Sequence, residues 1–551
     1  MQIARIPLVF ATIGGLLLAQ QSATQTEQPP VVLKSTTRLV QVSVIAQDGK
    51  GQPIADLKKD DFRIKVNGKD QPIKVFSVDS SGALPHGEAQ LPPNVFTNRL
   101  EVKPGQQSSV TIILLDELNT KWADQVQAKA QVIRYLRTLQ PSDHIGLYVL
   151  QSSLRVLHDY TADASELLSR LEALKGKDLP DLTSNEPTDA MHGDALMLDA
   201  LQRGMGATSP AERAFYTTNR ILGTLKAIEF IANHLAKTPG RKNLIWVSGG
   251  FPLTIGMNSF AQIRNPQIEQ RQFTEEITET VRAVNDANMA IYPVDARGLM
   301  VSSAFDASRS GGGGGGRGGR GGRPPAPVGQ ASHDTMDELA SRTGGHAYYN
   351  TNDLAKAIHD AIDDSRVTYM LGFYPVEESF DGQFHKIEVQ VVDRKGVHLR
   401  YRKGFFDLQE YPQDEKARKT ELADAAWSPL DASGIGLAVR IVPSQAKPDQ
   451  LEIVVVIDST QVSLEHQTER WVGRMDVLFI QHDNAGNQYN GLDDTINLNL
   501  SADSYQKFMK NGFVYSKTID RAERAKTIRI VVRDSASGAI GSITVPLAKI
   551  S

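Results

Sequence analysis

The run Val110-Thr111-Ile112-Ile113-Leu114-Leu115 constrains this chain more than any other segment. A strand that is apolar at nearly every position has no face to offer to water. Both of its sides must be covered, which is the situation of a parallel strand lying between two layers of helices. Runs of the same kind recur at Ile145–Leu150, Asn243–Val247 and Met289–Val294, and helical periodicity separates them. After the first run, Trp122, Val126, Ala130, Ile133 and Leu136 stand at helical spacing, with Gln, Lys and Arg between them, and form an apolar helix face. Further helices are expected at Ser165–Leu174, Glu212–Ala236, Phe273–Ala287, Thr335–Arg342 and Asp353–Asp363, with short strands at Leu154–Leu157 and His346–Tyr349. This alternation over residues 105–366 predicts an α/β doubly wound, Rossmann-like core with a mostly parallel sheet.

The flanks have a different period. Between residues 30 and 104 apolar and polar positions alternate, as in Leu39–Ile45 and Phe62–Val66, and turn signals follow at Asp48–Gly51 and Asn67-Gly68. The pattern predicts an immunoglobulin-like β-sandwich region. Strand patterns return at Val367–Tyr374, Lys386–Val392 and Val397–Arg402, so residues 367–408 are read as completing that first sandwich around an inserted α/β domain. Residues 434–551, with Leu451–Ile457, Met475–Ile480 and Thr527–Val532, are read as a second β-sandwich. The expected architecture is multidomain, an α/β core flanked by β-sandwich (Ig-like) modules.

One stretch of the core is expected to stay disordered. Gly311–Gly322 holds ten glycines among twelve residues, and the entropy of ordering such a run exceeds what packing can return, so residues 306–331 form a loop. The loop lacks the Gly-Lys-Ser/Thr of a phosphate-binding loop. Its Arg317, Arg320 and Arg323 have no interleaved aromatics to stack on bases, so it does not read as an RNA-binding segment.

Met1 to about Thr26 combines a single early Arg5, the apolar run Ile6–Ala19 and a polar exit, the pattern of a secretory signal peptide. No later segment approaches the roughly 18 consecutive apolar residues of a membrane span, so none is expected after signal removal. The chain has no cysteine, which removes thiol catalysis, disulfides and cysteine-ligated metal centres together. A formal charge of −4 gives no general attraction to nucleic acid.

In a doubly wound sheet ligands bind beyond the carboxyl ends of the strands. The first strand ends in Asp116-Glu117-Leu118-Asn119-Thr120, whose oxygens can serve a hard cation or cap the helix that follows. With Asp116 leading this loop, the segment resembles von Willebrand factor A (VWA) domains, whose metal-ion-dependent adhesion site begins Asp-x-Ser-x-Ser. Together with Gly240–Pro252, Tyr292–Gly298 and Leu339–Gly345, it resembles the exported VWFA-related family described from acidobacteria, over residues about 35–405. The resemblance implies a divalent cation such as Mg2+ at Asp116 and Thr120, with Asp295 lending a carboxylate from the strand end nearby. Leu118 stands where the family has a serine. Thr217 or Thr218 can take the place of the family's threonine, and Ser248-Gly249-Gly250 lacks the acidic residue expected there. The implied metal site is therefore degenerate.

Enzyme signatures are weaker. Trp246 stands where a nucleophile elbow around Ser248 needs glycine, no His-Glu-x-x-His occurs, and Arg241-Lys242 reads as solvated surface. The resemblance and the export signal together lead to the expectation of a non-enzymatic binding or scaffold protein of the periplasm, cell surface or medium. Its partner is expected to be another protein or a cell-envelope polymer. The competing expectation is an envelope-associated enzyme or enzyme accessory whose site these motifs do not reveal.

Overall fold

The computed structural model describes residues 39–80, 91–99, 110–139, 144–161, 163–174, 210–251, 273–298, 328–364, 366–375, 383–392, 394–406, 415–447 and 449–550. The expected signal peptide and the glycine-rich run at 311–322 lie outside these residues.

The chain enters through β1 (Val40–Gln47), β2 (Phe62–Val66), β3 (Lys69–Gln71) and β4 (Val75–Ser80), and then makes a short strand, β5 (Val95–Thr97). The α/β body follows, with β6 (Val110–Asp116), α1 (Trp122–Leu136), β7 (His144–Leu150), β8 (Leu154–Thr161), α2 (Ala164–Ala173), α3 (Pro210–Leu235), β9 (Lys242–Ser248), α4 (Thr274–Asp286), β10 (Met289–Asp295), α5 (Val328–Thr343) and α6 (Leu354–Asp363). After it come β11 (Val367–Phe373), β12 (Phe384–Val391), β13 (His398–Arg400) and β14 (Gly404–Phe406). The rest comprises α7 (Glu415–Trp427), β15 (Leu437–Pro443), β16 (Gln450–Ile457), β17 (Glu465–Gln467), β18 (Arg470–His482), β19 (Gln488–Leu500), α8 (Ala502–Asn511), β20 (Phe513–Asp520), β21 (Thr527–Asp534) and β22 (Ile540–Pro546).

Strands from before and after the α/β body are interleaved. One sheet runs β13-β1-β11-β4 and another β14-β12-β2-β3, and both contribute to one core that contains Val42, Val44, Ile64, Tyr369, Leu371 and Ile387. Each of these two sheets is thus built from two segments separated by the whole α/β body.

The α/β sheet has the order β10-β9-β6-β7-β8 and winds outward from β6 in both directions. Its strands are parallel except β8, which pairs antiparallel with β7. The continuous apolar runs are explained by two separate cores. Ile112 and Leu114 face α3, α4 and Leu339 of α5, whereas Ile113 and Leu115 face α1, α2 and α6. The α5 helix begins seven residues before the expected Thr335, and the expected strand at His346–Tyr349 reduces to a single bridge between Val294 and Tyr348.

Two basic residues expected in solvent are buried. Arg241 donates to the Tyr292 hydroxyl at 3.2 Å and to the Gly344 carbonyl at 2.8 Å, and Lys242 Nζ donates to the Ala287 carbonyl at 2.8 Å. At the lower end of the sheet, carbonyls of neighbouring segments take up these charges in place of water.

The last body has the sheets β20-β16-β15-β5 and β17-β18-β21-β22, with β19 along β18, and the two share one core. Its outer strand β5 comes from the segment before the α/β body, and Thr97 donates to the Leu437 carbonyl at 2.7 Å. Arg529 fastens the end of α7 and the segment that follows it to this body. Its guanidinium reaches the Ala425 and Leu430 carbonyls, Asp431, Ser542 and Thr544 at 2.6–3.1 Å. No helix among the described residues is long and apolar enough to cross a membrane.

Candidate functional site

Pairing across β6, β9 and β10 places Asp116, Ser248 and Asp295 side by side at the carboxyl edge of the sheet. The strands end together here, and the loops that leave them are locked onto one another by side chains.

Asp116 is buried, and its carboxylate accepts from neutral donors only. Oδ1 takes the Asn119 backbone N–H at 3.0 Å and its side-chain amide at 3.1 Å. Oδ2 takes the same amide at 2.9 Å, Trp246 Nε1 at 3.0 Å and the Ser248 hydroxyl at 2.8 Å. Burial pushes the Asp116 pKa above the usual carboxylate range, and the bonds from Asn119, Ser248 and Trp246 oppose that shift. The Thr120 hydroxyl donates to the Asp116 carbonyl at 2.5 Å and accepts the Gly249 N–H at 2.7 Å, which clamps the β6 loop to the β9 loop. Position 249 needs glycine for this approach, because a Cβ there would lie 3.0 Å from Thr120 Cα and 3.1 Å from the Asn119 carbonyl oxygen.

Helix α3 joins through Thr224, whose hydroxyl accepts from the Asn119 amide at 2.8 Å and donates to the Arg220 carbonyl at 2.8 Å. The sequence pointed to Thr217 or Thr218. Both are half-buried, and the threonine that meets the loop lies about two turns further along the helix. Leu118 turns instead into the apolar core under α3.

Asp295 is also buried, and it meets a cation from the protein itself. Its Oδ1 accepts from Arg297 N and Nε, each at 2.9 Å. Its Oδ2 accepts from Arg297 Nη2 at 2.7 Å and pairs with His333 Nε2 at 2.9 Å. His333 in turn stacks on Tyr349, with ring centroids 4.3 Å apart.

These contacts decide how well the edge suits the implied cation. Mg2+ requires a near-octahedral shell of oxygens with free lone pairs. Here the Asp116 oxygens are taken by five N–H and O–H contacts, the Thr120 hydroxyl by two, and Asp295 is neutralised by Arg297. As the side chains stand, the set fits hydrogen bonding and does not fit a divalent cation. Among the described residues no group of three or more His, Asp and Glu is arranged to hold a metal. The helix-capping alternative also needs correction. The N-cap of α1 is Lys121, with no side-chain cap bond, so Asp116 closes its own loop and leaves the helix uncapped.

Helix α1, which follows the β6 loop, departs from the expected apolar face. Trp122 is 53% exposed and Val126 50%, and Ala130 is exposed on the same stripe. The buried face of α1 is Gln125, Ala128, Val132, Tyr135 and Leu136. Gln125 can be buried because its amide donates to the carbonyls of Thr120 at 2.7 Å and Glu117 at 3.2 Å. At the start of α3, Phe215 and Tyr216 are exposed as well, their rings edge to face.

No family model and no curated protein matches the chain. Similar solved structures include a von Willebrand factor type A protein from Catenulispora acidiphila (9% identity, 86% of this chain and 73% of that one, TM-score 0.24). The three N-terminal domains of the type V pili tip protein Mfa5 from Porphyromonas gingivalis align at 9% identity over 86% of this chain and 77% of that one, with a TM-score of 0.26. An aerotolerance-related membrane protein from Bacteroides fragilis aligns at 14% identity over 46% of this chain and 98% of that one, with a TM-score of 0.24. At such scores the likenesses establish neither family nor function.

Proposed function

We propose that this chain is an exported, non-enzymatic binding or scaffold protein of VWA type, and that it engages another protein or a cell-envelope polymer through the carboxyl edge of its α/β sheet. One observation carries this reading: the stripe of Trp122, Val126 and Ala130 is exposed on a helix whose opposite face is anchored in the core and whose preceding loop is locked at Asp116 and Thr120. Tryptophan is among the residues most enriched at the centres of interfaces, and one presented on an anchored helix needs no ordering of its backbone on binding. The proposed mode of binding needs no divalent cation, since the polar groups beneath the stripe are already partnered.

Capture from an envelope extract tests the proposal. Immobilised wild type should retain a partner equally in EDTA and in Mg2+, and a Trp122→Ala/Val126→Ala variant should lose it. Retention that requires Mg2+ and survives the double substitution would overturn this reading. So would turnover in a broad hydrolase panel.

A further inference from the structure

We infer that the side-chain amide of Asn119 occupies the role of a cation at this edge: its N–H groups bridge the Asp116 carboxylate and Thr224, so the loop after β6 is organised without metal. The amide is aimed for that purpose. Its nitrogen lies 3.1 and 2.9 Å from the two Asp116 oxygens and 2.8 Å from Thr224 Oγ1, one donor group spanning β6 and α3. Its oxygen, Asn119 Oδ1, is buried without a hydrogen-bond partner. Leaving a buried acceptor unpaired is costly. Turning the amide over would partner neither group better, because it would set the oxygen against the carboxylate and remove the one donor that reaches both oxygens. The orientation is therefore governed by the anion, which has only neutral donors within hydrogen-bonding reach.

A reversal of metal dependence follows. Asn119→Asp keeps the shape of the side chain and exchanges its donors for an oxygen. Two carboxylates would then face each other beside the hydroxyls of Thr224 and Ser248, a hard-oxygen set that repels itself until a cation enters.

Thermal unfolding of the full chain, in EDTA and in millimolar Mg2+ or Mn2+, reads this directly. Wild type should melt within about 1 °C in all three conditions. Asn119→Asp should melt lower in EDTA and recover by about 3 °C or more with either metal. An Asn119→Asp chain that folds and shows no metal effect would overturn the inference. Calorimetric titration of wild type with Mn2+ does not depend on any variant folding. Absence of saturable heat is the expected result, and a one-site heat missing from Asp116→Asn would overturn the inference. Partner capture plays no part in these readouts, so they stand or fall apart from the proposed binding role.

Discussion

Asp116 and Asp295 end two strands of one sheet in the same register, with Ser248 between them, yet their charges are stabilised by opposite means. Asp295 has Arg297 and His333, groups that carry or can carry a positive charge and keep some contact with water. Asp116 has an amide, an indole, a hydroxyl and a backbone N–H, all enclosed. The difference shows that a buried carboxylate can act as a knot for three chain segments: donors from its own loop and from β9 meet on Asp116, and the same Asn119 amide reaches on to α3. An ion pair with a residue two positions away holds its own loop, and through His333 the start of α5.

The largest effect should come from untying the knot. Asp116→Ala leaves the buried donors of Trp246, Ser248 and Asn119 without an acceptor and should cost about 3–4 kcal/mol in urea unfolding. Asp295→Ala should cost less, about 2 kcal/mol, because the side chains of Arg297 and His333 are 20% and 14% exposed and can turn partly to water. A larger loss at 295 than at 116 would break the comparison.

The next prediction concerns acid. The Asp116 carboxyl has a higher pKa in the folded chain than its ordinary value of 3.8, with burial as the leading cause. Protonation therefore favours the folded state: the contribution is fully present below the unfolded value and is lost as pH rises through the raised one. Stability of wild type relative to Asp116→Asn should accordingly grow as pH is lowered from 7 towards 4. A flat or falling difference, measured by urea melts across that range, would contradict the assignment. The smallest stability effect is expected at Trp122→Ala, within about 0.5 kcal/mol, because that ring already faces solvent.

Much of this arrangement could be read from residue patterns, and the departures have physical causes. Strand positions in the α/β body follow from apolar runs that only a doubly covered strand tolerates, and Asp116 stands out because it ends the first of them. The face of α1 was misread because the helix is apolar on two sides. Its inner side contains Gln125, a residue that burial would exclude were its amide not bonded to two loop carbonyls that no sequence pattern displays. Arg241 and Lys242 misled for the same reason, since the carbonyls that accept their charge come from segments distant in the chain. Thr224 lay beyond reach because residue spacing alone does not define which turn of α3 meets Asn119. The likeness to a metal-binding pattern drew attention to Asp116, while the residue that answers its charge, Asn119, stood at an offset the pattern ignores.

The short strand β5 has a consequence for the order in which the molecule is made. Thr97 finds its partner Leu437 340 residues later, which at about 5–20 residues per second means a wait of tens of seconds during synthesis. The first sandwich waits too, for β11 and β12. The α/β body alone is assembled from one uninterrupted stretch of chain, so it is the part able to fold while its neighbours are unfinished. The last body lacks only its outer strand, β5, which has already been made when β15 appears.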